Sequence, residues 1–93
     1  MTRNILDVAN EITAGDRQAS YGEPAVDFSK TGKIWSAILG VEVSAEQVAL
    51  CMIGVKISRL CHAYNFDSVT DIAGYARTLQ MVHEYMENKD VKQ

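Results

Sequence analysis

The stretch S-A-E-Q-V-A-L-C-M-I-G-V-K-I-S-R-L-C-H, from Ser44 to His62, decides the fold. Ser44 and Gln47 fit a capping box, in which each side chain satisfies a backbone donor of the other residue. A helix is therefore predicted from about Ala45 to Cys61 or His62. From Val48 to Val55 every residue is apolar or glycine. A helix apolar on every side is a central one, covered by neighbours on several faces. Three further helices cannot surround it in a chain of 93 residues, because small domains leave much of their surface wet. Self-association is the expected state.

Helical periodicity also governs the flanks, and no segment of length alternates with period two. The first helix is predicted from about Asn4 to Ala14, with Ile5, Val8, Ala9 and Ile12 on one face and Gly15 as its left-handed cap. Asp16 to Glu23 is polar and reads as a loop. Pro24 opens a second helix, where a missing N–H costs little. That helix runs to about Leu39, with Phe28, Trp35 and Leu39 as its apolar stripe, widened by Ile38, and Gly40 closes it. Gly32 marks either a close helix contact or a break. After a loop from His62 to Phe66, Asp67 or Ser68 caps a fourth helix. It runs to about Glu87 through Ile72, Ala76, Leu79, Val82 and Met86, and the polar tail beyond Asn88 is expected to fray. The fold class is all-α, one domain built as a small bundle of about four helices.

Composition excludes several functions. Nine basic against twelve acidic side chains give a net charge of −3. A non-specific binder of duplex nucleic acid carries a basic excess instead. The apolar run is far short of the ~20 residues a membrane-spanning helix needs. No signal peptide is expected from the first residues. Cys51 and Cys61 fall on one helix ~15 Å apart, beyond the reach of a disulfide. Both read as reduced, small hydrophobic residues.

Chemistry concentrates in two places. After the apolar run come Lys56, Arg59 and His62, spaced three and three on one side of the helix. The fourth helix answers with Asp67, Asp71 and Tyr75, spaced four and four. In an antiparallel hairpin these groups meet, either as a structural layer of ion pairs or as a pocket. In a pocket, Arg59 offers its planar fork to a phosphate and Tyr75 a stacking face and a hydroxyl. The second place is the loop before Pro24. Arg17, Ser20, Tyr21 and Gly22 stand next to a helix N-terminus that can hold an anion, with Lys30 and Lys33 as added charge. No phosphate-binding glycine loop, nucleophile elbow or zinc-ligand spacing is present. Glu42 and Glu46 read as favourable charge at a helix start, and His83 as a surface or interface histidine.

The segments G-D-R-Q-A-S-Y-G-E-P (Gly15 to Pro24), I-W-S-A-I-L-G-V-E-V-S (Ile34 to Ser44), V-K-I-S-R-L (Val55 to Leu60) and D-I-A-G-Y-A (Asp71 to Ala76) resemble a family of short phage and prophage proteins. That family is in turn distantly similar to the MazG-like, all-α nucleoside triphosphate pyrophosphohydrolases. The resemblance implies a helical oligomer in the host bacterial cytosol that handles nucleotides. The enzymes hold magnesium with an E-x-x-E run on one helix and E-x-x-D on the next. Here Lys56-Ile57-Ser58-Arg59 stands at the first run, and only Asp71, with Asp67 as an approximate substitute, at the second. Cations in place of carboxylates suit direct contact with a phosphate better than a metal bridge.

The resulting expectation is a protein that sequesters a phosphorylated nucleotide, such as a host-defence signal, without hydrolysing it and without a cofactor. Its candidate site is Arg17, Tyr21, Lys56, Arg59, Asp71 and Tyr75. One alternative is a magnesium-dependent pyrophosphohydrolase using Asp67, Asp71 and Glu46. Another is a phage protein that inhibits a host protein through its exposed apolar surface.

Overall fold

The computed structural model of the chain describes residues 3–14 and 22–91. Four helices follow in order: α1 (Ile5–Ala14), α2 (Pro24–Leu39), α3 (Ala45–His62) and α4 (Phe66–Val91). There is no strand among the described residues. Among the described residues, the all-α class and the four helices are as the sequence predicts. Gly15, expected to cap α1, lies outside the described residues.

Local chemistry accounts for the ends. Asn4 caps α1, its side-chain oxygen accepting from the Leu6 N–H at 2.8 Å. Pro24 takes the first position of α2. At the other end Gly40 adopts φ 74° and donates its N–H to the Ser36 carbonyl, a left-handed conformation that a side chain disfavours. The Ser44–Gln47 capping box is complete, with both reciprocal hydrogen bonds formed. The cap of α4 is Asn65, whose Oδ1 accepts from the Ser68 N–H at 2.7 Å, and not Asp67 or Ser68. A second correction concerns the far end: α4 continues to Val91, beyond the expected Glu87. The intervening Asn, Lys and Asp residues include no proline or glycine to stop it.

α3 and α4 form an antiparallel hairpin whose register is pinned by two side-chain pairs, Lys56–Asp71 near the turn and Glu46–His83 at the open end. α2 packs on both helices of the hairpin, and α1 packs on α4 alone. Among the described residues of the single chain, the helix that touches all the others is therefore α4, and the expected cover of Ala45–His62 on further faces depends on self-association. Polar lettering hides this role. Ser68, Thr70 and Thr78 are buried, as Val82 is. Thr78 turns its hydroxyl back to the Gly74 carbonyl at 3.0 Å, and Thr13 of α1 does the same to Ala9 at 2.9 Å. The methyl groups are thereby left for packing.

The core joins Ala25 and Phe28 of α2, Ala45, Val48 and Ala49 of α3, and Val82 of α4, with Trp35, Val43, Tyr75, Leu79 and Met86 packed around it. Two members of the expected α2 surface are outside it, since Ile38 is 74% exposed and Leu39 is also exposed. Gly32 marks a close contact and not a break. A Cβ there would lie 2.6 Å from the Val43 carbonyl oxygen. Ser36 completes this joint, donating to the Gly32 carbonyl and accepting from the Val43 N–H.

Candidate functional site

Of the six residues expected to form the site, Arg17 and Tyr21 lie outside the described residues. Lys56 and Asp71 meet as an ion pair at 3.0 Å, with the Lys56 side chain only 13% exposed and that of Asp71 37%. Tyr75 stands one turn along α4 from Asp71. Its ring packs against Phe28, the centroids 6.3 Å apart and the planes tilted by 45°.

Arg59 does not join this group. Three residues beyond Lys56, its side chain is turned about 60° away from the side facing α4. It lies exposed and lines a shallow depression at the α3–α4 turn with Ser58, His62 and Tyr64. Asp67 is exposed too and has no ion pair with Arg59 among the described residues. The expected layer of ion pairs is thus one pair, Lys56–Asp71. Lys30 and Lys33 sit elsewhere again, beside Tyr85 and Met86 on the α2–α4 surface.

The structure adds a cleft that the sequence reading missed. Asp27, Phe28, Thr31 and Trp35 of α2, Val48 and Met52 of α3, and Tyr75 of α4 line an open space of about 100 Å³. Lys56 is one turn from Met52 and Asp71 one turn from Tyr75, so the ion pair stands at the end of the cleft nearest the α3–α4 turn. This volume is well below the roughly 300–1,000 Å³ of a pocket that encloses a whole drug-sized ligand. It accepts one flat group and leaves the rest of a ligand along the surface. Phe28 and Trp35 had been assigned to the core by their spacing, and Asp27 to nothing. The available signal was the line Asp27, Thr31, Trp35 at i, i+4 and i+8, which puts a carboxylate, a hydroxyl and an indole on one flank of α2.

A smaller cavity of about 40 Å³ lies on the other side of Tyr75, between α1 and α4, lined by Thr13, Thr70, Asp71, Gly74 and Thr78. It has room for a water or two. The buried Thr70 hydroxyl has no hydrogen-bond partner among the described residues.

Magnesium fits these residues poorly. Among the described residues no three of His, Cys, Asp and Glu gather as a metal site. Glu46 is hydrogen-bonded to His83 at the start of α3, ten residues or ~15 Å along the helix from Lys56. Asp71 already faces an ammonium, which opposes a divalent cation.

Fold and cleft together define a small all-α domain with an aromatic cleft between α2, α3 and α4, and the Lys56–Asp71 ion pair one turn beyond its lining residues. The chain belongs to a family described as a domain of unknown function, DUF6378, whose profile matches residues 4–83. It is 40% identical over 79 residues to the Gene 55 protein of Mycobacterium phage L5, covering 83% of this chain and 51% of that protein. With the Gene 55 protein of Mycobacterium phage D29 it shares 36% identity over 85 residues, 90% of this chain and 56% of that protein. The chain thus spans about half the length of the curated relatives it matches. No solved structure matches it. The resemblance to phage proteins is borne out by these relatives. No described helix is long and apolar enough to cross a membrane.

Proposed function

We propose that this domain binds a phosphorylated nucleotide in the α2–α3–α4 cleft and holds it without hydrolysis. The observation that carries the reading is the cleft itself, with Trp35, Phe28 and Tyr75 around a space of one ring's size and an ammonium one turn away. The base enters among the aromatic side chains, where stacking gives affinity to any planar ring. The phosphate draws Lys56 away from Asp71, exchanging one carboxylate partner for another anion of higher charge. Arg59, one turn further on and exposed, is within the sweep of an extended phosphate chain. Asp71, released, accepts from a ribose hydroxyl. Host cytosol is the place of action in this proposal. Binding without turnover is the form of the proposal because Asp71, a candidate metal ligand, is already engaged by the Lys56 ammonium.

Trp35 is the single tryptophan of the chain, so its fluorescence reports the cleft directly. Titration with nucleoside mono-, di- and triphosphates is expected to change that fluorescence saturably, and the nucleotide is expected to be recovered intact. Lys56→Ala is expected to weaken binding by about 1.5–3 kcal/mol, the usual contribution of a charge-assisted hydrogen bond. A Trp35 signal indifferent to every nucleotide, with none retained in native mass spectrometry, would overturn the proposal.

A second reading concerns the outer surface of α3, where Leu50, Cys51, Val55, Ile57 and Cys61 are all exposed in the single chain. The helix expected to be covered on several faces is covered only along Ala45, Val48 and Ala49 with their half-buried neighbours. That bare apolar surface supports association with a second copy of the chain. Capture of a host protein is the competing occupant.

A further inference from the structure

Among the described residues, Asp27 is the one charged group that lines the aromatic cleft. It lies in the first turn of α2 and is partly buried. No hydrogen bond or ion pair reaches its carboxylate among the described residues, although Lys56 finds Asp71 one layer away. A carboxylate only accepts, through two oxygens side by side. Beside Phe28, Trp35 and Tyr75 it is partly covered and meets no donor among the described residues. A pair of adjacent N–H donors on a group entering the cleft would match those two oxygens.

The common bases differ sharply in this respect. Adenine and cytosine each present an amino group next to a ring nitrogen that accepts, and that acceptor repels a second carboxylate oxygen. Uracil presents one N–H between two carbonyls. Guanine alone offers two neighbouring donors, N1–H and the 2-amino group, in the spacing of a carboxylate's oxygens. We infer that Asp27 selects a guanine base, pairing in bidentate fashion with its N1–H and 2-amino edge while the aromatic side chains hold the ring. This inference rests on the nucleotide-binding reading of the cleft and names its base.

The test is titration of Trp35 fluorescence with the 5′-monophosphates of guanosine, inosine, adenosine and xanthosine, for the wild type and for Asp27→Asn. Inosine lacks the 2-amino group, and xanthosine carries a carbonyl there that an asparagine amide can meet with its N–H. The wild type is expected to prefer guanosine over inosine and adenosine by about tenfold or more, the discrimination a good bidentate contact supplies. Asp27→Asn is expected to lose that preference and gain affinity for xanthosine, with its thermal midpoint reporting that α2 is intact. Equal binding of all four monophosphates by the wild type would overturn the role of Asp27 and leave the nucleotide reading standing. So would a guanosine preference that survives Asp27→Asn. Binding of none of the four, nor of any di- or triphosphate, would overturn both.

Discussion

His83 shows at the scale of one residue how a surface side chain sets helix register. Its Nδ1 lies 3.1 Å from Glu46 Oε1 across the hairpin, and its Nε2 lies 3.2 Å from Glu87 Oε1 one turn along α4. The hydrogen bond to Glu46, with the charges of Glu87 and Glu46, raises the imidazole above its ordinary value of 6.5. A histidine whose pKa is raised on folding binds its proton more tightly in the native state. Its contribution is therefore complete below the unfolded pKa and is lost as pH rises through the folded one. Thermal unfolding of the wild type and of His83→Gln, followed between about pH 5.5 and pH 9, should show a gap that narrows as pH increases. A gap that is constant or widens would mean that the imidazolium plays no part in joining α3 to α4. The exposure of all three side chains keeps the expected effect small and sensitive to salt.

Among the elements, the joint between α2 and α3 is the most tightly specified. Gly32 leaves room for the Val43 carbonyl, which would stand 2.6 Å from an added Cβ. The obstacle is backbone, so it cannot turn aside as a side chain would. Gly32→Ala is expected to destabilise the fold by about 1–3 kcal/mol despite the better helix propensity of alanine, read from urea unfolding with an unchanged m-value. An alanine there that stabilises would show the joint to be pliable. Joints of this kind were legible in the sequence because they are local: Pro24, Gly40, Ser44 and Gln47 each act within a few residues, and α2 and α3 begin and end where those letters put them. What depends on tertiary partners was not legible. The buried threonines of α4 read as surface until Thr13 and Gly74 come to face each other across α1 and α4. At the site, Lys56, Asp71 and Tyr75 were readable from the i, i+4 spacing of a hairpin. Arg59 was not excluded, because its 60° offset matters only once the facing side of α3 is known. Asp27 was missed because its meaning comes from the cleft that Val48 and Met52 of α3 and Tyr75 of α4 complete around it.

The whole molecule is completed, on this reading, by a copy of itself. Leu50, Gly54, Ile57 and Cys61 follow one another at intervals of four, three and four, so they share one direction on α3, well away from the buried Val48 and Ala49. Leu50 is 53% and Ile57 51% exposed, and the stripe carries no charge. Its spacing reads the same in both directions. Two α3 helices laid antiparallel about a two-fold axis would set Leu50 of one against Cys61 of the other, and Ile57 against Gly54. Each large side chain would then face a small residue, the self-complementarity an isologous interface requires. Gly54 has no such use inside its own chain, where an added Cβ would meet nothing within 4 Å. It nevertheless lies mid-helix, where glycine costs about 1 kcal/mol relative to alanine. Light scattering is therefore expected to find a dimer or a higher even oligomer. Ile57→Lys, placing two ammonium groups at the crossing, should weaken it by about 3 kcal/mol, or roughly a hundredfold in dissociation constant. Helicity and the cleft's response to nucleotide should be kept, because Ile57 faces away from both. A wild-type protein that stays monomeric at concentrations of about 100 µM would leave this face to a different partner, since a pair of that affinity contributes less than about 6 kcal/mol.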